Sequence, residues 1–256
     1  MPDSRYITPD VCIRDRLRNQ QIPVWPAALM VFRDKPGSAK VLDALVNVRP
    51  VSHGMLYNSC GPDLTDGCVF TADLDGREIL VLTRCVWGGP QTAILVEELA
   101  CLGIQTIVGY GIAGSMVPAL KRGRMIAGVS GLPTDGTTRA YGFTQPVAAD
   151  RGLLEAAMRI VGTESLAPAT VATVDALYRE TPDLIDSYRA NGAQVVNLET
   201  SPLYASACSC NVRSLWLGYV SDHLFDREWH DWYLPAGQVA DETVALCKAL
   251  LSDALS

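Results

Sequence analysis

The chain has 256 residues, 48% of them hydrophobic, and a formal net charge of −7. This length predicts one domain with a sizeable core. Because the chain is acidic and has no cluster of Lys and Arg, it lacks the basic surface that nucleic-acid binding requires. No apolar run reaches the roughly 18 residues of a membrane span, and the N-terminal residues lack the pattern of a secretory signal. We therefore expect a cytoplasmic protein that acts on a small molecule, without a nucleic-acid or membrane partner.

The eight cysteines lie mostly inside apolar stretches, and the three histidines do not occur beside them at the spacing of zinc ligands. This pattern favours reduced thiols that pack in the core as small hydrophobic groups. We accordingly predict neither a metal site nor a cofactor.

From residue 76 onward, short apolar runs alternate with amphipathic segments of helical length. This alternation predicts an α/β fold: a single-domain, three-layer sandwich with a mixed, largely parallel central sheet. Residues 1–75 are less regular, and residues 49–67 resemble a loop. In the first predicted helix, Ile94, Leu95, Leu99 and Leu102 are expected to share the buried face. Strands are predicted at 78–83, 104–111, 124–131, 169–178, 193–199 and 213–222, and helices at 90–102, 152–161, 181–192, 200–210 and 236–251.

Two glycine-rich segments follow predicted strands: Gly88-Gly89-Pro90, and "GYGIAGS" at 109–115. Glycines at such turns let backbone N–H groups approach an anion or a sugar closely. Ordinary turns show the same pattern, and neither segment has the spacing of a dinucleotide or phosphate-loop motif. The glycines by themselves therefore leave the ligand open.

Two carboxylates follow apolar strands. Glu199 ends "VVNLE" and Asp222 lies in "GYVSDHL". At the end of a strand, a carboxylate can accept hydrogen bonds from sugar hydroxyls, and a partly desolvated Asp can act as a general acid. The alternative is that Glu199 caps a helix and Asp222 caps a loop. His223 and His230 are further candidates for proton transfer, or are packing and surface residues.

Several motifs together resemble the nucleoside phosphorylase superfamily, which contains the hexameric uridine and purine nucleoside phosphorylases and the hydrolytic nucleosidases. They are "GGPQTAILVEELACLGIQTIVGYGIAGS", "DGTTRAYG", "VDALYRETPDLIDSYRANGAQVVNLETSPLYASA" and "GYVSDHL", in the order and spacing of the family. The resemblance covers residues 76–256. It implies an α/β sandwich, cleavage of the N-glycosidic bond of a nucleoside, and a homodimer or homohexamer whose active sites include residues of a neighbouring subunit.

The resemblance also implies roles for individual residues. Glu199 matches the acid that binds the ribose hydroxyls, and Asp222 matches the Asp that protonates a purine leaving group. The base-stacking aromatic residue falls at Leu177, with Tyr178 retained beside it. The implied substrate-binding residues are Leu198, Asn197, Tyr178, Leu177, Gly111, Ile112 and Gly88, of which Asn197 replaces an acid of the family motif.

The phosphate ligands of the family are the poorest match. An Arg is replaced by Gly109 and a hydroxyl residue by Ile112, and the position of a neighbouring subunit's Arg falls at Thr65. The N-terminal phosphate loop is replaced by "FRDKPGSAK", residues 32–40. Because a phosphate dianion needs several charge-assisted hydrogen bonds, these losses favour water as the acceptor of the sugar.

The leading hypothesis is a phosphate-independent nucleosidase that acts on a purine-type or modified nucleoside. Asp135 and Glu180 are candidates for activating the water. A second hypothesis is a phosphorylase whose anion site is rebuilt from Arg33, Arg49 or Arg84. A third is a nucleoside-binding protein that has lost turnover, against which the retention of both Glu199 and Asp222 argues.

Overall fold

The computed structural model describes residues 5–17, 24–51, 56, 68–85, 88–226 and 237–256. Its helices are α1 (Pro9–Leu17), α2 (Lys35–Asp43), α3 (Gly89–Cys101), α4 (Gly136–Ala140), α5 (Arg151–Val161), α6 (Pro182–Ala190), α7 (Thr200–Ser209) and α8 (Gln238–Leu255). Its strands are β1 (Ala27–Val31), β2 (Val46–Pro50), β3 (Val69–Leu74), β4 (Arg77–Leu82), β5 (Thr106–Ser115), β6 (Met125–Leu132), β7 (Val147–Ala148), β8 (Ala167–Thr173), β9 (Val195–Asn197) and β10 (Arg213–His223). None of the described helices is long and apolar enough to cross a membrane.

The strands form one mixed sheet in the order β10-β6-β8-β9-β5-β1-β4-β3-β2, with β7 paired to β6. Strand β5 also pairs with β10 along its whole length, so β5, β10, β6, β8 and β9 close into a ring. The pairings among described strands divide evenly between parallel and antiparallel. The parallel pairings are longer, with 27 paired positions against 17 in the antiparallel ones, so the predicted mixed, largely parallel sheet is confirmed.

Helices cover both faces of this sheet. One core cluster joins the sheet to α3 and α7, and includes Leu95, Leu203 and Trp216. A second cluster joins the opposite face to α5 and α8, and includes Leu153 and Leu250. This arrangement confirms the predicted layered α/β architecture.

Helix α3 tests which of its apolar residues form the buried face. Leu95, Leu99 and Leu102 are fully buried, as predicted, because they recur at the i, i+4, i+7 spacing of one helical stripe. The prediction for Ile94 is wrong, since its side chain is 39% exposed. It lies about 100° around the helix from Leu95 and therefore faces away from the sheet.

The segment before residue 76 contains elements that the sequence pattern did not predict. Strand β1 is buried at every position and lies between β4 and β5, near the middle of the sheet. A strand buried on both faces shows no polar alternation, so its five residues, followed by a turn-rich segment, gave no periodic signal. Thr65, His230 and Cys60 lie outside the described residues.

Two further predictions change in detail. The strand expected to run to Tyr178 ends at Thr173, and a short 3-10 helix follows at Leu177–Arg179. The prediction of core thiols is wrong for Cys101 and Cys208, which are exposed because they lie in the last turns of α3 and α7.

Candidate active site

The two candidate carboxylates belong to segments on either side of strand β5. Gly114, near the end of β5, pairs with Val196 of β9 on one side and with Asp222 of β10 on the other. Glu199 lies two residues after β9, and Asp222 lies in β10. The sequence placed them after separate strands, and the pairing of β5 with both β9 and β10 puts those strands on either side of β5.

The position of Asp222 depends on two local features. The register between β5 and β10 shifts between Val220 and Asp222, an irregularity that re-aims the side chains after it. Gly114 leaves room for them: a Cβ there would lie 2.7 Å from Leu224 Cδ1 and 3.2 Å from Asp222 Oδ2. A glycine is thus required beside the acid because a larger residue would displace Leu224 or the carboxylate.

The capping of α7 is carried out by Asn197. Its Oδ1 accepts hydrogen bonds from the backbone N–H groups of Glu199 at 3.3 Å and Thr200 at 3.2 Å, and its Nδ2 donates to Thr200 Oγ1 at 2.7 Å. Glu199 makes no side-chain cap bond. Asn197 therefore satisfies the helix N-terminus and leaves the Glu199 carboxylate available for another role.

Glu199 is an almost fully buried acid, with 7% of its surface exposed. Among the described residues its carboxylate accepts one hydrogen bond, from the backbone N–H of Leu198 to Oε2 at 3.2 Å. Burial raises the pKa of Glu199 from 4.5 to about 8, and the bond from Leu198 offsets only part of this effect. A buried carboxyl group without a cation beside it favours a ligand that donates hydrogen bonds to it.

Asp222 is half-buried, and its Oδ1 accepts a hydrogen bond from Ser221 Oγ at 2.6 Å. A second acid, Glu180, lies close enough to be affected by its charge. Burial first, and repulsion by Asp222 second, raise the pKa of Glu180 from 4.5 to about 7. The site therefore contains two neighbouring carboxyl groups.

Two other candidates for proton transfer have structural partners. Asp135 caps α4, with Oδ1 accepting from the Thr138 N–H at 2.7 Å, and burial raises its pKa. His223 Nε2 accepts a hydrogen bond from the backbone N–H of Arg122 at 3.0 Å. Of the two acids considered for water activation, Asp135 is used as a helix cap, whereas Glu180 is affected by the charge of Asp222.

The residues expected to line the pocket are only partly assembled in a single chain. Gly88 approaches Leu198, since a Cβ on Gly88 would lie 3.8 Å from the Leu198 Cβ. Leu177 is half-buried in the 3-10 helix, but the adjacent Tyr178 is 94% exposed. Tyr178 thus makes almost no contact with its own chain.

Two of the three glycines of "GYGIAGS", Gly109 and Gly111, are covered by the side chains of Phe32, Leu203 and Trp216. A Cβ on Gly109 would lie 3.0 Å from Phe32 Cε2, 3.1 Å from Leu203 Cδ2 and 3.2 Å from Trp216 Cδ1, and a Cβ on Gly111 would lie 3.1 Å from Trp216 Nε1. Ile112 packs on the opposite face, against the cluster under α5 and α8. The space beside Gly109 is therefore filled by hydrophobic packing.

The arginines considered for a rebuilt anion site have partners elsewhere. Arg33 is buried and donates a hydrogen bond to Tyr219 Oη. Arg49 is paired with Asp73 at 3.3 Å and Glu78 at 2.6 Å. The partners of both guanidinium groups are therefore residues other than Glu199 and Asp222. The third, Arg84, donates from Nη2 to Cys68 Sγ at 2.9 Å.

Introducing Arg at position 109 is expected to destabilise the protein by about 1–3 kcal/mol and not to create a phosphate requirement. The reason is that Phe32, Leu203 and Trp216 already occupy the space that the side chain would enter. Thermal unfolding and base-release assays with and without phosphate would measure both effects. Gly237→Arg is the matched control, since no atom of the described residues lies within 4 Å of a Cβ there. A stable Gly109→Arg protein that responds to phosphate would contradict this prediction.

The role of Asn197 as a cap, and the cover of Gly109 and Gly111 by Trp216 and Phe32, were not predicted from the sequence. The cap had a recognisable signal, because Asn followed three residues later by Thr200 is a typical helix start. The aromatic cover had none, since it depends on which strands become neighbours. A cavity of about 650 Å³ between α1, α3 and α4 does not include Glu199, Asp222 or Glu180. The two carboxylates that line this cavity are already paired, Glu97 with Arg5 and Tyr141, and Glu98 with Arg16.

Comparison with known proteins identifies the family of this chain. The family model described as "Phosphorylase superfamily" matches residues 57–256. An uncharacterized protein of Acanthamoeba polyphaga mimivirus is 34% identical over 57% of this chain and 58% of its own length. A DeoD-type purine nucleoside phosphorylase of Bacillus cytotoxicus is 29% identical over 62% of this chain and 69% of its own length. The chain thus spans about three fifths to two thirds of the length of these relatives.

Solved structures extend the likeness over most of the chain. The uridine phosphorylase of Vibrio fischeri superimposes with a TM-score of 0.75, at 18% identity, over 90% of this chain and 93% of that one. The 5'-methylthioadenosine/S-adenosyl homocysteine nucleosidase of Campylobacter jejuni gives a TM-score of 0.74, at 14% identity, over 90% and 99%. At these identities the likeness establishes the fold, which phosphorolytic and hydrolytic proteins share.

Proposed function

Because the chain belongs to the phosphorylase superfamily, we propose that it cleaves the N-glycosidic bond of a purine-type or modified nucleoside and transfers the sugar to water. The observation that carries the choice of water is the packing at Gly109. In the family pattern an Arg ligand of phosphate occupies this position, and here Phe32, Leu203 and Trp216 fill the space around it. Apolar surface at that position cannot compensate the dehydration of a phosphate dianion.

Glu199 is proposed to hold the ribose hydroxyls. Its carboxyl group is buried, is not used as a helix cap, and has few partners of its own. Hydroxyl donors from a sugar would stabilise its ionised form, and so would the positive charge that develops on the sugar as the bond breaks. The interaction therefore strengthens toward the transition state, as catalysis requires.

Asp222 is proposed to protonate the departing base. As the C1'–N bond breaks, its electron pair goes to the base, which takes a proton from the Asp222 carboxyl group. Water then bonds to C1' and releases a proton, which restores the acid. A purine accepts a proton at its ring nitrogen, and the presence of an Asp at this position favours such a base.

A second chain would complete the pocket in this proposal. Tyr178 is 94% exposed although it follows directly after Leu177 at the pocket. A homodimer or a homohexamer, as the family resemblance implies, would cover this ring with the neighbouring subunit. The chain could then regain base stacking that Leu177 alone does not supply.

A phosphorylase with a rebuilt anion site is the alternative, and it now depends on Arg84. Arg33 and Arg49 are engaged with Tyr219 and with Asp73 and Glu78. Arg84 follows β4 directly and has a left-handed backbone, with φ 58°. A non-Gly residue in this conformation carries strain of the kind found at functional sites, so Arg84 is the residue to test.

Base release is expected to be independent of phosphate concentration and to yield free sugar. The test is incubation of the protein with a panel of purine, pyrimidine and modified nucleosides, with and without phosphate, followed by chromatography of the base and the sugar product. Asp222→Asn serves as the negative control. A rate that rises and saturates with phosphate, with formation of a sugar 1-phosphate, would contradict hydrolysis. Binding of a nucleoside without any base release would support the non-catalytic alternative instead.

A further inference from the structure

We propose that His223 is a positioning residue for Asp222: its imidazole accepts a hydrogen bond from the backbone of Arg122 and thereby fixes the end of β10 that presents the Asp222 carboxyl group. This inference rests on the proposed function. It gives a role to a residue that the sequence left open between proton transfer and packing.

The loop between β5 and β6 bonds to β10 just before Asp222. The Gly123 N–H donates to Val220 O at 2.8 Å, and Arg122 Nε donates to Ser221 O at 2.9 Å. The register between β5 and β10 shifts between Val220 and Asp222, which leaves Ser221 outside the regular pairing. The carbonyl group of this extra residue is therefore held by Arg122 and not by the strand ladder.

After Asp222, the chain is bound to the same residue of the loop through a side chain. The Arg122 backbone N–H donates to His223 Nε2 at 3.0 Å. On the other side, the Leu224 N–H donates to Ser115 O at the end of β5, at 2.8 Å. Arg122 thus bonds to the residue before Asp222 and to the residue after it. Because consecutive residues of a strand share a fixed backbone geometry, holding the imidazole in place also fixes the direction of the Asp222 side chain.

The hydrogen bond also defines which imidazole nitrogen carries a hydrogen. Nε2 accepts from Arg122, so the hydrogen of the neutral ring is on Nδ1. Nδ1 lies 3.8 Å from Asp226 Oδ2, and this carboxylate favours a hydrogen on that nitrogen. The Phe225 ring lies beside the imidazole, with the centroids 4.7 Å apart. His223 is therefore a hydrogen-bond acceptor in this arrangement, and its Nε2 has no proton to deliver to the base.

¹⁵N NMR of the imidazole nitrogens tests the hydrogen bond without substrate. The protein is labelled at histidine, of which the chain has three, and the His223 signals are assigned by their loss in His223→Gln. At a pH at which the ring is neutral, we expect the hydrogen on Nδ1 and an unprotonated Nε2. A neutral His223 ring with its hydrogen on Nε2 could not accept from Arg122 and would overturn the proposal.

The carboxyl signal of Asp222 tests the positioning itself. Three variants of His223 lack the ring and differ in the acceptor: Gln has a side-chain oxygen at about the reach of Nε2, Asn has one that is too short, and Leu has none. The ¹³C signal of the Asp222 carboxyl group is assigned by its loss in Asp222→Asn. We expect His223→Asn and His223→Leu to displace this signal and His223→Gln to leave it near its wild-type position. An identical signal in all three variants would overturn the proposal.

Base release measures the consequence for turnover. With Asp222 misaligned, turnover in His223→Leu and His223→Asn should fall roughly ten- to a hundredfold, whereas KM should change little because Glu199 holds the ribose. His223→Gln should retain most of the turnover. Gln194→Leu is the matched control, since Gln194 Oε1 accepts from the Thr170 backbone N–H at 2.9 Å and its loss should lower the melting temperature without changing turnover. Full turnover of folded His223→Leu would overturn the proposal.

These readouts separate the inference from the proposed function. If the Asp222 signal depends on the acceptor as expected but the wild type cleaves no nucleoside, His223 positions Asp222 and the proposed reaction is wrong. If the wild type releases base and the Asp222 signal is identical in all three variants, the reaction stands and the role of His223 is wrong. Should His223→Leu fail to fold, His223→Asn and the imidazole nitrogens of the wild type still decide the question.

Discussion

Replacement of Asp222 by Asn is expected to lower turnover by about 10² to 10⁴ while the affinity for the nucleoside changes little. Asn has the shape of Asp and can still accept the hydrogen bond from Ser221 Oγ, which lies 2.6 Å from Asp222 Oδ1. It cannot deliver a proton, so the base would leave as an anion at a much higher barrier. Steady-state kinetics and nucleoside binding, measured on the same protein, provide the two quantities.

Asp150→Asn is a suitable control for this variant. Asp150 accepts a hydrogen bond from the backbone N–H of Leu153 at 2.9 Å and caps α5, so the substitution removes the same charge at a helix cap. Turnover should be unchanged, because Asn also caps helices well. If Asp222→Asn behaved like this control, with full activity and unchanged melting temperature, Asp222 would have no part in the reaction.

Glu199→Gln is expected to flatten the dependence of stability on pH and also to lower turnover. The pKa of Glu199 is raised from 4.5 to about 8 in the folded chain, so the folded state binds a proton that the unfolded state releases. The corresponding stability is fully present below about pH 4.5 and is lost as the pH rises through 8. The total loss is on the order of 5 kcal/mol, with a slope of at most about 1.4 kcal/mol per pH unit.

Denaturant unfolding between pH 5.5 and 8.5 measures this effect in the absence of ligand. Gln resembles the protonated carboxyl group, so the variant should exceed the stability of the wild type by about 1 kcal/mol near pH 5.5 and by a larger margin near pH 8.5. Glu164→Gln, at an exposed turn, should retain the wild-type slope. Parallel pH curves for the wild type and Glu199→Gln would refute the buried, raised-pKa state of this acid.

The same variant tests the catalytic role of Glu199. If its carboxylate binds the ribose hydroxyls and meets the positive charge of the sugar, Gln should reduce both affinity and turnover even as stability at high pH increases. A functional residue often lowers the free energy of unfolding, so its replacement can raise stability while activity is lost. A cap residue would show the opposite combination, because its loss lowers stability and leaves kinetics nearly normal.

The sequence by itself determined the order and type of most elements from residue 76 onward. Helices α3, α5, α6, α7 and α8 and strands β4, β5, β6, β9 and β10 begin or end within a few residues of their predicted bounds. Their apolar spacing and their Pro and Gly punctuation are local properties, readable from one stretch of chain. The sequence likewise placed Glu199 and Asp222 at strand ends, because each follows its own apolar run.

Which strands pair, and therefore which side chains come into contact, depends on the tertiary structure. Strand β1 enters the middle of the sheet, Asn197 rather than Glu199 caps α7, and Trp216 and Phe32 cover Gly109 and Gly111. The charge of Asp222 raises the pKa of Glu180, which lies 42 positions earlier in the chain. These outcomes depend on which strands pair and in which register, and a one-residue slip in register would turn each side chain to the other face. Burial then sets the charge of each acid, since the environment that raises the pKa of Glu199 exists only after strands far apart in sequence have closed around it.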